Sequence, residues 1–138
     1  MRYLVDSSAL TRIVRRQVDP VWHELVQRGL LSLCEPVLAE TLQIADTKDY
    51  VETETSLIDT YVPVTIPDGV WDLSAAIRHE LAPRSAHRGL SVADLIVAAT
   101  AIKLKLTVLH EDADYETVGR FVPQLRQRRI SLGPEAAW

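Results

Sequence analysis

Cysteine and glycine are scarce in this 138-residue chain, with one of the first and five of the second. A single cysteine, Cys34, cannot close an internal disulfide or build a thiolate zinc cluster, so a reducing cytoplasm is the expected setting. Beside Leu30-Leu31-Ser32-Leu33 it reads as a small core residue. The glycines are ungrouped, which excludes a loop cradling phosphates, and no Gly-x-Ser-x-Gly elbow surrounds Ser7 or Ser8, which disfavours a serine hydrolase. His23, His79, His87 and His110 show no paired metal spacing. Long apolar runs are missing too. The longest, Leu95 to Ala99, is far short of the roughly 18 residues of a membrane span. The first residues reach a charge at Asp6 too soon for a secretory signal.

What is present fits one globular domain, expected over residues 1–138: 47% of residues are hydrophobic and 25% charged, enough for a real core. The net charge of −4 argues against a protein that simply coats nucleic acid. The basic residues are nevertheless grouped. Arg12, Arg15 and Arg16 fall at helical spacing on one face, Arg84, His87 and Arg88 precede a helix, and Arg120, Arg126, Arg128 and Arg129 crowd the end.

Strand and helix signals alternate. Short strands are expected at residues 2–5, 30–33, 62–66 and 106–109, with a last one near Phe121-Val122 before a tail; Pro63 places the third at an edge. Helices are expected from Ser7 or Ser8 as cap to about Arg16, from Pro20 to Gly29, from Pro36 to Ala45, and over 49–61, 70–81, 91–104 and 115–120. That pattern predicts an α/β fold: a central parallel sheet of about four to five strands with helices on both faces.

Four acids then stand out. Asp6 closes the run Tyr3-Leu4-Val5, Glu40 lies one turn into the helix opened by Pro36, Asp94 lies in the first turn after Ser91, and Asp112 follows Thr107-Val108-Leu109. Ligands of open parallel sheets gather beyond the carboxyl ends of the strands. Carboxylates crowded there repel one another unless they share protons or a hard cation, so convergence would imply a Mg²⁺ or Mn²⁺ site. Each acid also has a plainer explanation. Asp6 could cap its helix, Ser91 and Asp94 match a capping box, Glu40 could be a solvated helix residue, and His110-Glu111-Asp112-Ala113-Asp114 could be a surface loop.

Taken together, the segments Val5-Asp6-Ser7-Ser8-Ala9-Leu10, Glu40, Ser91-Val92-Ala93-Asp94-Leu95-Ile96-Val97-Ala98-Ala99-Thr100-Ala101 and His110-Glu111-Asp112-Ala113-Asp114-Tyr115 resemble the PIN-domain ribonucleases, and within them the VapC-type toxins of bacterial toxin–antitoxin pairs. The resemblance covers residues 2 to about 120 and leaves 121–138 as a variable strand or tail. It implies a metal-binding and catalytic quartet of Asp6, Glu40, Asp94 and Asp112, with Asp114 as an auxiliary ligand and Ser91 at the edge of the site. Tyr115 stands where Phe is frequent in the family. Glu111 adds an acid whose direction the sequence does not set.

The expected activity is therefore hydrolysis of RNA phosphodiesters by a toxin, through a carboxylate-bound Mg²⁺ or Mn²⁺ and an activated water. Arg12, Arg15, Arg16, Arg84 and Arg88 are candidates for holding flanking phosphates. Family likeness further implies a homodimer and a VapB-type antitoxin that blocks the groove. Two rivals remain open: a catalytically silent PIN-like binding module, and a Mg-dependent phosphotransfer or phosphatase domain using Asp6.

Overall fold

The computed structural model describes residues 2–135. Its five strands are β1 (Tyr3–Val5), β2 (Leu31–Cys34), β3 (Val62–Val64), β4 (Thr107–His110) and β5 (Arg126–Arg129). They form one sheet in the order β3-β2-β1-β4-β5, with every neighbouring pair parallel. Every residue of β1, β2 and β4 is buried. Successive side chains of a strand point to opposite faces, so both faces of the central sheet are covered.

The covering helices are α1 (Ser7–Val14), α2 (Val21–Gln27), α3 (Glu35–Leu42), α4 (Tyr50–Thr60), α5 (Val70–Leu81), α6 (Val92–Leu104) and α7 (Ala113–Phe121). The segment between α5 and α6 is not a plain loop, since it winds into two short 3₁₀ turns at Ala82–Arg84 and Ala86–Gly89. Helix α6 buries Leu95 and residues 97–101, as its all-round apolar sequence requires. Cys34 is in the core, and burial pushes its thiol up to about 11.

Two expectations fail at the ends of elements. Asp6, and neither Ser7 nor Ser8, caps α1, its carboxylate accepting from the Ser8 amide. Residues Phe121 and Val122 close α7 and form no strand; β5 lies further on, at Arg126–Arg129. An edge strand pairs on one side only, so its side chains need not be apolar, and this one reads Arg-Gln-Arg-Arg. The tail expected after it ends in residues 136–138, outside the described residues.

The strand order determines where a site can form. From β1 the chain steps outward through β2 to β3, then returns to the other side of β1 for β4 and β5. The carboxyl ends of β1 and β4 therefore flank a topological switch point, the crevice where open α/β sheets bind ligands. Asp6 follows β1 directly, its amide donating to the Leu109 carbonyl at 2.9 Å, and Asp112 lies just beyond β4.

Candidate metal centre

Three helices begin at this crevice, and each start carries an acid. Asp6 caps α1, Asp112 caps α7, and Asp94 occupies the first turn of α6 behind its cap Ser91. Helix N-termini carry partial positive charge, which favours carboxylates there. The capping role considered for Asp6 thus holds, Ser91 caps α6 through the Asp94 amide, and Asp112 is a helix cap, not a residue of a plain surface loop; the acids converge all the same. One carboxylate oxygen from each of Asp94, Asp112 and Asp114 lies within 4.8 Å of the others. Asp6 joins them through Tyr115, whose hydroxyl donates to Asp6 Oδ1 at 2.9 Å and to Asp94 Oδ1 at 3.2 Å.

Crowding shows in the titration of the acids. Burial, the neighbouring Asp6 carboxylate and Asp112 push Asp94 up to about 6, against bonds from Tyr115 and Ser91 that favour its anion. Partial burial and then Asp112 also raise the carboxyl of Asp114. The Tyr115 hydroxyl is driven far above the ordinary tyrosine value by burial and by both acids, so it stays a hydrogen-bond donor. A divalent cation relieves this repulsion. A donor set made of carboxylate oxygens suits hard Mg²⁺ or Mn²⁺ and not a soft metal.

Glu40 takes a different place. It is half-buried on α3, and its carboxylate accepts from Ser7 Oγ at 3.1 Å. Together with Ser91, Val92 and Ile96 it lines a shallow depression beside the start of α6. Glu40 therefore forms the rim of the site, linked to it through the residue after Asp6.

The direction of Glu111 is settled by β5. Its carboxylate accepts from Arg129 at 3.0 Å and from the Ser131 hydroxyl and amide at 3.1 and 3.2 Å. Those bonds outweigh burial and hold its carboxyl below the usual range. Glu111 is thus engaged by the strand's end, while Asp112 and Asp114 meet Asp94.

Ser8 and Gly89 support the site in ways their local sequence does not state. Ser8 Oγ donates to Asp6 Oδ2 at 2.8 Å and accepts from the Glu111 amide at 2.9 Å, stitching the end of β1 to the end of β4. Gly89 abuts Asp114 so closely that a Cβ there would lie 3.2 Å from Oδ1. Capping chemistry singles out Ser8 as a candidate cap but not its bonds to Asp6 and to the Glu111 amide; nothing local to the sequence points to Gly89.

Arg12, Arg15 and Arg16, expected on one helix face, are divided between two grooves. Helix α1 stops at Val14, and Arg16 takes a left-handed φ of 55°, which sends Arg15 and Arg16 apart. Arg15 lines a groove between α1, α3 and α4, whereas Arg12 and Arg16 line another with Glu111, Ser131 and Leu132. Arg12 also donates to the Ser8 carbonyl at 2.9 Å. Arg84 lies over the Phe121 ring at 4.4 Å, and Arg88 is exposed in the turn before Gly89.

A parallel sheet in this strand order carries, at the switch point between β1 and β4, a cluster of carboxylates whose oxygens suit a hard divalent cation. The PIN domain profile matches residues 3–120, and the chain belongs to the PIN domain family. Ribonuclease VapC6 of Mycobacterium tuberculosis is 39% identical over 98 residues, which is 70% of this chain and 77% of that protein. Ribonuclease VapC21 of the same organism is 32% identical, over 89% of this chain and 90% of its own. The fold is similar to that of a chain in the structure of VapBC-1 from nontypeable Haemophilus influenzae, with a TM-score of 0.74 at 13% identity, covering 94% of this chain and 98% of that one. Among the described residues, no helix is long and apolar enough to cross a membrane.

Proposed function

We propose that this chain is a metal-dependent endoribonuclease of the VapC toxin type, with Asp6, Asp94, Asp112 and Asp114 as its metal centre and Glu40 at the rim. The observation that carries this reading is the convergence of Asp94, Asp112 and Asp114 beside Asp6 at the switch point of a PIN domain. The resemblance to ribonucleases VapC6 and VapC21 supplies the class of substrate. Bound there, Mg²⁺ or Mn²⁺ would supply a Lewis acid that lowers the pKa of water and screens charge building on the scissile phosphate.

The chain's own residues do the rest. Ser8 and Tyr115 fix the Asp6 carboxylate from both sides, and Ser91 anchors the first turn of α6 through the Asp94 amide at 3.1 Å. Ser7 holds Glu40 toward the site. Arg12 and Arg16 line a groove that reaches Glu111, next to Asp112, and offer positive charge to phosphates flanking the scissile bond. Arg88 does so on the Asp114 side. The substrate is RNA in a single-stranded or looped region, whose backbone can enter such a groove. A VapB-type antitoxin covers the site, and exposed Val14 and Ile44 beside the groove of α1, α3 and α4 offer it apolar anchors. A homodimer completes the assembly.

The phosphotransfer alternative is disfavoured because Ser7 and Ser8 follow Asp6 where that chemistry wants a second acid, and Lys103 and Lys105 precede β4 instead of following a strand end. A silent binding module differs only in having no turnover. The test is RNA cleavage by purified protein with Mg²⁺, with Mn²⁺ and in EDTA. Cleavage that requires the cation and disappears in Asp94→Asn supports the nuclease. Equal cleavage in EDTA, or none under any condition with metal bound, would contradict it.

A further inference from the structure

The ring of Tyr115 is fully buried and lies tilted at 39° to His110, with centroids 5.1 Å apart. His110 is itself fixed. Its Nδ1 accepts from the Asp112 amide at 3.0 Å, so its Nε2 carries the hydrogen donated to Gln127 Oε1 on β5 at 2.7 Å. The tyrosine ring is thereby held against a rigid neutral neighbour, with its hydroxyl aimed at two carboxylates that come from strand end β1 and helix α6. A hydroxyl has one hydrogen, shared here between Asp6 Oδ1 and Asp94 Oδ1. Packing alone would be met by phenylalanine. The hydroxyl is the part that needs a further role.

We propose that the Tyr115 hydroxyl is a positioning group that keeps the Asp6 and Asp94 carboxylates turned toward one another across the crevice before a divalent cation arrives. The proposal rests on the metal-centre reading above. Two anions that face one hydroxyl would, without it, turn apart, and gathering them again would weaken cation binding. The other Asp6 oxygen is occupied by Ser8, so Tyr115 is what sets the orientation of the Oδ1 side. Outer groups that orient metal-ligating carboxylates typically change metal affinity by roughly 10- to 100-fold when removed.

The test compares wild type and Tyr115→Phe by calorimetric titration with Mg²⁺, alongside NMR of protein carrying ¹³C at the tyrosine ring carbon that bears the hydroxyl. The phenylalanine variant should bind Mg²⁺ about tenfold or more weakly. In wild type, the resonance absent from that variant should move with Mg²⁺ and saturate at the calorimetric Kd, while Tyr3, Tyr50 and Tyr61 stay still. Should the variant fail to fold, the resonance is assigned by elimination with Tyr3→Phe, Tyr50→Phe and Tyr61→Phe, and its response decides. Unchanged or tighter binding in folded Tyr115→Phe, or a Tyr115 resonance indifferent to Mg²⁺, overturns the proposal. If wild type itself takes up no Mg²⁺, the metal-centre reading fails first and the positioning role falls with it.

Discussion

The centre and the rim of this site hold the same chemical group in opposite ways. Asp6 is 2% exposed and Asp94 is 9% exposed, and a tyrosine hydroxyl links them across the crevice. Glu40 is half-buried on α3, and its single described hydrogen bond comes from Ser7. A carboxylate in the centre carries desolvation and repulsion that only a cation or a proton relieves. A half-buried carboxylate at the rim, outside the group of acids that meet, keeps part of its hydration and can be lost at smaller cost. The difference teaches that acids alike in sequence should be unequal in function, and that inequality can be measured.

The largest effect should come from the centre. Asp6→Asn or Asp94→Asn removes a carboxylate from the proposed metal centre, and cleavage should fall on the order of a thousandfold or more, since metal-borne charge stabilisation is worth several kcal/mol. Initial rates on a defined RNA at saturating Mn²⁺ measure it. Glu40→Gln should cost less, about 10- to 100-fold, as for groups that tune a metal site from outside. Equal losses at Glu40 and Asp94 would erase the distinction between centre and rim.

A smaller effect is in stability against pH, without metal. The folded chain holds a proton on Asp94 up to about 6, above the ordinary value of 3.8. Folding is therefore favoured by that proton below 3.8, and the advantage is lost as pH rises through about 6. Asp94→Asn has no such charge to acquire. In EDTA, its melting temperature relative to wild type should rise by a few degrees between about pH 4 and 7. A gap that stays constant over this window would mean that Asp94 is not strained in the metal-free protein.

The smallest effect should lie outside both regions. Arg129 bridges Glu111 at 3.0 Å and Glu116 at 2.6 Å on a partly exposed surface. Such pairs contribute about 0–1 kcal/mol, so Arg129→Ala should lower the melting temperature by no more than a few degrees. Cleavage should stay within a few-fold of wild type. A collapse of activity would show that Glu111 belongs to the metal centre after all.

These predictions also mark what the sequence could convey. The centre of the fold was readable because its periodicity is strong: the helix expected over 70–81 is observed as Val70–Leu81, and the all-apolar stretch after Ser91 is the buried helix α6. The order and spacing of Val5-Asp6, Ser91-Val92-Ala93-Asp94 and the acid run after β4 pointed to one site, and Asp94, Asp112 and Asp114 do meet. Strand β5 was hidden because an edge strand of Arg-Gln-Arg-Arg has no apolar alternation to detect. The role of Tyr115 was hidden because an aromatic residue on a short helix looks like packing, and its hydroxyl bonds Asp6 across 109 positions of sequence. Glu111 could not be aimed without knowing that Arg129 and Ser131 return beside it.

The most direct test of the central claim is the anomalous scattering of Mn²⁺ in crystals of the wild-type protein grown or soaked with the ion. A peak should appear in the crevice between β1 and β4, with carboxylate oxygens of Asp94 and Asp112 among its ligands. The same crystals of Asp94→Asn should show that peak lost or greatly reduced. Full occupancy in the variant, or saturating Mn²⁺ bound only elsewhere on the molecule, would contradict the account.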